Sequence, residues 1–295
     1  MKNIKYNKLE SRYKILLTGG GTAGHISPIL AVYEELRSYS YKYHLEFLFV
    51  GTKNSLEEKI IKENHLPFKG IYAGKLRRYF SLENLIDPFR IIIGIIQSYF
   101  LIKSYKPKVV FAKGGYVTFP VVLAAKLLKI PVVIHESDVI MGLANRIESK
   151  IAQKICLGFP VQYYNNLPVN KIIYTGNPVR KEFLKSYLST RLEAGKLPLD
   201  QARGGQADKL PTVLITGGSQ GSRFINQSVA AILDELTKKY AIIHISGKLD
   251  YPWLKKNNWP NYSLYDFTDK MPELMAKSDL IISRASASTM AEISS

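Results

Sequence analysis

Cysteine is almost missing from this 295-residue sequence, which contains only Cys156. An internal disulfide framework is therefore excluded, as is a metal cluster built on several thiolates, and a reducing compartment is the matching expectation. Long hydrophobic runs are missing too. The most apolar stretch, "FSLENLIDPFRIIIGIIQSYFLIKSYK" from Phe80 to Lys106, is interrupted by Asp87, Arg90 and Gln97. Pro88 is expected to break its start, so the clean apolar run is too short to span a bilayer. The opening "MKNIKYNKLESRYK" lacks the apolar segment of a secretory signal, which makes the cytoplasm the expected address. Negative charge is scarce: 24 Asp plus Glu stand against 41 Lys plus Arg, a formal net charge of +17. Such a field attracts nucleic acid, anionic membrane surfaces or phosphate-rich substrates, or else reflects a solvated lysine-rich surface. No zinc-finger spacing, basic-zipper pattern or dense arginine block directs it to nucleic acid.

What is present is ordinary globular material, 46% hydrophobic and 22% charged, in a length that favours two domains of roughly 100 to 200 residues. Short apolar runs at Lys14 to Thr18, Leu45 to Val50, Lys108 to Ala112, Val132 to His135 and Lys171 to Thr175 read as strands. They alternate with helix-period stretches at Ile29 to Arg37, Ser55 to Glu63, Asn84 to Lys103 and Val121 to Leu128. Strand and helix in turn at this spacing imply βαβ units, hence a doubly wound parallel sheet with helices on both faces. The pattern falters from Lys185 to Leu210 and restarts with strands expected at Thr212 to Thr216, Ala241 to Ser246, Leu264 to Phe267 and Leu280 to Ser283. A boundary is expected near Asn177 to Lys185, with domains at 1–178 and 179–295. The second has room for only about four strands, so it is either unusually small or incomplete.

The chemistry concentrates in two glycine turns, "TGGGTAGH" ending at His25 and "TGGSQGS" from Thr216 to Ser222. Each follows an apolar strand and leads into a helix, whose first N–H groups and dipole favour an anion. Neither closes with the Gly-Lys-Ser/Thr of a phosphate-binding Walker loop. Gly19, Gly21 and Gly24 fit G-x-G-x-x-G in isolation, which is a weak signal. One turn alone is as well explained by tight strand-to-helix geometry; two turns of one grammar favour a phosphate-bearing ligand in a cleft between domains. His25 stands where the first turn becomes helix and could accept a proton at physiological pH, or merely hydrogen-bond a loop carbonyl. His44 and His65 fall in polar connections, and His244, inside an apolar strand, reads as a packed core residue. His135, Glu136 and Asp138 are metal-ligand types, but neighbouring strand residues point to opposite faces, so convergence is not implied. The Phe80 to Lys106 stretch, preceded by "KLRRY", reads equally as a packed helix or as a helix docking on an anionic bilayer.

These motifs together resemble the MurG-type glycosyltransferases of peptidoglycan synthesis. The resemblance rests on "TGGGTAGHISP", "GKLRRYFSLEN", "AKGGYVTFPVVLAA", "IPVVIHESD", "GLANR", "GNPVR", "TGGSQGS" and "SRASASTMAE", in family order from near the first strand to the end of the sequence. It implies the GT-B fold: two Rossmann-like doubly wound domains facing a cleft, the first acceptor- and membrane-binding, the second UDP-sugar-binding and here incomplete. The implied reaction transfers N-acetylglucosamine from UDP-N-acetylglucosamine to the 4-hydroxyl of undecaprenyl-pyrophosphoryl-N-acetylmuramoyl-pentapeptide, with inversion, no metal or other cofactor, and no nucleic-acid partner. Its address would be the cytoplasmic face of the cell membrane, where an anionic surface is the further partner. Carried over by position, Thr22, Ala23 and Gly24 line the donor phosphate and sugar, and His25 is the candidate base. Arg180, Ser219 and Gln220 contact the donor with Gly218 nearby, Thr268 meets the uracil, and Ala287, Ser288, Thr289 and Glu292 form the uridine segment, with Glu292 on the ribose hydroxyls. Lys75, Arg77, Gly114, Gly115, Tyr116 and Asn145 are the weaker, acceptor-side set.

The sequence departs from the family pattern in three places. Asp138 stands where many members have a donor-contacting Asn, so donor binding there is expected with adjusted contacts. Ser286 replaces a usual glycine, which is expected to cost backbone freedom near the ligand. The family also continues past Glu292 through a Gln- and Asn-containing loop and a terminal helix. The alternatives are therefore an inactive fragment that still binds nucleotide-sugar or membrane, and a related GT-B enzyme with another lipid acceptor.

Overall fold

The computed structural model describes residues 12–20, 23–74, 83–165, 167–186, 210–218, 220–256 and 258–294. Thr22, Lys75, Arg77 and Ser219 lie outside the described residues, as do the side chain of Ala23 and most of the polar 185–210 stretch. The chain divides into two compact units, Met1–Pro178 and Val179–Ser295.

In the first unit the strands are β1 (Tyr13–Thr18), β2 (Leu45–Thr52), β3 (Phe68–Ile71), β4 (Val109–Ala112), β5 (Val132–Glu136), β6 (Lys154–Leu157) and β7 (Ile172–Tyr174). All pair in parallel, in the order β3-β2-β1-β4-β5-β6-β7. The helices among them are α1 (Ala23–Ser38), α2 (Ser40–Tyr43), α3 (Leu56–Glu63), α4 (Glu83–Tyr105), α5 (Thr118–Leu127) and α6 (Leu143–Glu148). Successive strand residues face opposite ways, and β1 shows the result. Leu16 packs with Leu48, Val50, Val110 and Val121 on one face, Leu17 with Ile26, Ile29, Leu30 and Phe49 on the other. A sheet covered on both faces has no use for polar alternation, which is why its strands read as unbroken apolar runs. The order reverses between β1 and β4. Thr18 pairs with Val50 on one side and Ala112 on the other, so the segments after Thr18 and Ala112 leave the sheet side by side. That is the place where open α/β sheets hold ligands.

Contrary to expectation, Pro88 does not break the apolar helix at its start; α4 runs through it from Glu83 to Tyr105. Proline removes one hydrogen bond near the start, and the buried face beyond outweighs that loss. Gly94 lets the helix lie against the Tyr72 carbonyl, which a Cβ there would overlap, while Ser98 and Ile102 are buried one and two turns on. The opposite face carries Phe89, Ile92, Ile96 and Phe100 in the open, with Phe89 67% and Phe100 63% exposed. No helix among the described residues is long and apolar enough to cross a membrane.

In the second unit β8 (Thr212–Thr216), β9 (Ala241–Ile245), β10 (Tyr262–Tyr265) and β11 (Leu280–Ser283) form a parallel sheet in the order β10-β9-β8-β11. Residues 181–186 are helical, followed further on by α7 (Arg223–Ala230), α8 (Leu233–Lys239), α9 (Tyr251–Leu254), α10 (Met271–Lys277) and α11 (Ala287–Ile293). Val213, Ile215, Val229, Leu233 and Ile242 make its core, and the reversal falls between β8 and β11. β10 lies two residues earlier than the apolar pattern implied. Tyr262 pairs with Ile242 and its hydroxyl meets His244, so the strand begins on an aromatic anchor and ends before Asp266.

Candidate active site

In each unit the glycine turn lies at the reversal of strand order. In the first unit the Thr18 hydroxyl donates to Val50 O at 2.9 Å and closes the end of β1. Lys113 N–H donates to Thr18 O at 2.9 Å and Gly20 N–H to Gly114 O at 3.3 Å, so the turns after β1 and β4 are joined backbone to backbone. Gly115 has φ +97°, and a Cβ there would overlap the Gly20 carbonyl. Only glycine allows both that conformation and that approach. Behind this turn the Thr118 hydroxyl lies 2.7 Å from Gly115 O and 2.5 Å from Glu148 Oε1.

His25, in the first turn of α1, is partly exposed. Burial of its ring, and then the charge of Lys113, hold its pKa at about 4. Lys113 is 2% exposed. Burial lowers it to about 8, opposed by Glu136 and Asp138, which raise it. His135 is held at about 4 by burial first and Lys113 second, while its Nε2 bond to Gly176 O, 3.0 Å, acts the other way. At neutral pH these shifts leave Lys113 charged and both imidazoles uncharged. No ion pair within 4.0 Å involves Lys113 among the described residues. Such a cation beside an uncharged histidine is suited to an anionic group whose neighbouring hydroxyl must lose a proton.

Glu136 frames this corner by accepting from Asp138 N–H at 3.0 Å, Gly142 N–H at 3.0 Å and Asn145 Nδ2 at 2.9 Å. Asn145 also donates to His135 O at 3.1 Å and is 4% exposed, with its Oδ1 unpartnered. Asp138 itself is exposed, and Tyr116 accepts from the Thr52 hydroxyl at 3.3 Å. Among the described residues no group of three or more His, Cys, Asp or Glu side chains could hold a metal ion.

In the second unit the Thr216 hydroxyl accepts from Gly218 N–H at 3.2 Å, and Gly221 N–H donates to Gly218 O at 2.9 Å. Gly221, at φ +77°, closes on the Ser246 carbonyl so tightly that a Cβ would overlap it. Gln220 is exposed on this turn. Across the reversal, Ser286 caps α11 by accepting from Thr289 N–H at 3.3 Å, with φ −86° and ψ 143°. The expected cost of serine in place of glycine is therefore absent: this backbone suits any residue, and serine adds a cap. Ala287, Ser288, Thr289 and Glu292 share α11, and Thr268 accepts from Lys270 N–H at 3.0 Å. Arg180 pairs with Glu182 at 2.9 Å. Each sequence-picked residue thus belongs to its own unit: Gly24, His25, Gly114, Gly115, Tyr116, Asp138 and Asn145 to the first, Arg180, Gly218, Gln220, Thr268 and the α11 set to the second.

Lys113 was missed in the sequence, although "AKGG" puts a lysine on the carboxyl end of an apolar strand just before two glycines. Glu148 and Asn226 were missed as well, because a polar residue on a helix shows no sign of facing inward until the packing is known.

Residues 15–157 match the Glycosyltransferase family 28 N-terminal domain and residues 212–295 the Glycosyltransferase family 28 C-terminal domain. The chain is 40% identical over 287 residues to the UDP-N-acetylglucosamine--N-acetylmuramyl-(pentapeptide) pyrophosphoryl-undecaprenol N-acetylglucosamine transferase of Clostridium perfringens, covering 96% of this chain and 75% of the relative. It is 42% identical over 283 residues to the protein of the same name from Clostridium botulinum, covering 95% and 75%. Among solved structures it is similar to Acinetobacter baumannii MurG, with TM-score 0.63 at 26% identity over 95% of this chain and 74% of that one. A UDP-GlcNAc 2-epimerase from Neisseria meningitidis, at 20% identity and TM-score 0.58 over 92% and 77%, shares the fold.

Proposed function

This chain belongs to glycosyltransferase family 28, and from that premise we infer that it is an N-acetylglucosaminyltransferase moving the sugar from UDP-N-acetylglucosamine to N-acetylmuramyl-(pentapeptide) pyrophosphoryl-undecaprenol. The observation that carries this reading is the single relationship over 287 residues, which takes in both units and both glycine turns. The fold, two parallel-sheet units of the kind seen in GT-B enzymes, agrees with it.

In finer detail, the first unit receives the acceptor and the second the donor. The muramoyl 4-hydroxyl gives its proton to His25 as the sugar is attacked with inversion. Support comes from the neutral state of that imidazole at physiological pH and from Lys113 beside it, an ammonium for an acceptor phosphate. Gly114, Gly115 and Tyr116 would shape the acceptor side with Lys75 and Arg77, while Asn145 and Glu136 hold the frame and Asp138 reaches the donor. Thr22, Ala23 and Gly24 would border the donor phosphate and sugar. Charge developing on the departing UDP would fall to the turn carrying Gly218, Ser219 and Gln220 and to Arg180, with Thr268, Ala287, Ser288, Thr289 and Glu292 on the uridine. Because the acceptor is a polyprenyl lipid, the open face of α4, apolar at Phe89, Ile92, Ile96 and Phe100 and within a chain of net charge +17, would rest on the anionic cytoplasmic leaflet.

Incubation with radiolabelled UDP-N-acetylglucosamine and a soluble analogue of the muramoyl lipid tests the reaction, and a labelled disaccharide is expected. Labelling of other polyprenols or aglycones with none on the muramoyl analogue would overturn it.

A further inference from the structure

We propose that Asn226 and His244, neither of which can touch a ligand, are positioning residues that hold the second glycine turn in the shape that receives the donor diphosphate. The proposal rests on the reading that the second unit binds UDP-N-acetylglucosamine.

Both side chains are fully buried, yet every polar atom they carry is engaged. Asn226 Nδ2 donates to Ser246 O and to Asp250 Oδ2, each at 2.8 Å. An amide nitrogen has two protons and both are used, so the orientation of this side chain is settled and its Oδ1 must accept. His244 Nε2, 3.0 Å away, is the donor. The tautomer follows: Nδ1 carries the lone pair and accepts from the Tyr262 hydroxyl at 2.8 Å. At the other end Trp253 Nε1 donates to Asp250 Oδ1 at 3.0 Å. Five side chains from α7, β9, β10 and α9 with its preceding turn thus form one polar chain with a single arrangement of protons.

What this chain fixes is the Ser246 carbonyl. That same carbonyl is the surface on which Gly221 closes, and Gly247, at φ +79°, meets Gln220 O the same way, 2.6 Å from where a Cβ would stand. The turn therefore takes its shape from a wall, and Asn226 holds the wall. Leaving the buried Asn226 Oδ1 without its donor would release the amide to find another partner, and Ser246 would shift with it. Losses should then fall on ligands whose second phosphate reaches the turn, and spare those gripped by the uridine alone.

Isothermal titration with UDP and with UMP separates these effects. In His244→Leu, UDP binding is expected to weaken about tenfold while UMP changes by less than about twofold, the size of one buried unsatisfied acceptor. His244→Gln, whose side-chain amide can still donate to Asn226 Oδ1, should recover most of the loss. If His244→Leu does not fold, Tyr262→Phe carries the test: it keeps the aromatic packing, removes the donor to Nδ1, and should weaken UDP selectively by a smaller factor. Equal weakening of UDP and UMP, or no weakening of either, would mean a purely structural network and overturn the proposal. A wild-type chain that binds neither nucleotide would instead overturn the donor-site reading, and this inference with it.

Discussion

Glu148 offers a sharp quantitative test, because its protonation state follows from counting hydrogens. The Thr118 hydroxyl has one proton but two acceptors in reach, Gly115 O at 2.7 Å and Glu148 Oε1 at 2.5 Å. A protonated carboxyl that donates to Thr118, which donates on to Gly115, gives each contact a proton of its own. The electrostatics agree: burial first raises Glu148 from 4.5 to about 7, the Thr118 bond opposes this, and Glu136 adds to it. Between those values the native state keeps a proton that the unfolded chain has released. This contribution is fully present below pH 4.5 and is lost as pH rises through 7, by about 3 kcal/mol at 1.36 kcal/mol per unit. Glu148→Gln imitates the neutral acid and its amide can donate to Thr118. The variant should match the wild type within about 1 kcal/mol at pH 5 and exceed it by roughly 2–3 kcal/mol at pH 8. Urea unfolding followed by circular dichroism measures the difference. Both tryptophans, Trp253 and Trp259, lie in the second unit, so their fluorescence transition is an internal control that should not move. Equal destabilisation at both pH values would refute the protonated carboxyl.

Two further variants test the proposed reaction and the proposed membrane face. His25→Gln should lower kcat by about 10²–10⁴-fold with little change in KM for the donor, as expected for loss of a general base, and a comparable fall in donor affinity alone would assign His25 to binding instead. Phe89→Ser with Phe100→Ser should reduce sedimentation with anionic vesicles by on the order of 10²-fold or more, at about 1.5–3 kcal/mol for each phenylalanine removed from the lipid boundary, while leaving turnover of a soluble acceptor analogue intact. Unchanged vesicle binding would place the docking surface elsewhere.

The sequence was most legible where one physical signal dominated. Apolar runs that end in glycine marked β1 and β8 almost to the residue, because strands buried on both faces need nothing but bulk. Two short strands left no such mark. β3 is "FKGI", with a lysine and a glycine in the middle, and β6 is "KICL", and each owes its place to a neighbour in the sheet rather than to its own composition. Pro88 misled for a related reason, since local helix penalties yield to a long packed face. At the candidate site, glycine and histidine stood out in the sequence by type and position. Lys113, Glu148 and Asn226 did not, because only what they are buried against sets them apart from other polar residues.

The backbone contact between the turns after β1 and β4 also limits how this site can evolve. Where Gly20 donates to Gly114 O and Gly115 rests on Gly20, there is no side chain to exchange: a Cβ on Gly115 would collide with the Gly20 carbonyl, and one on Gly20 or Gly114 would crowd the side chain of Glu57 or Asn145. Mutation can explore the site only through its surroundings: Lys113 for charge, Tyr116 for shape, Thr118 and Glu148 for support from behind. A lineage that changed its acceptor would carry the glycines unaltered and record its history in those neighbours.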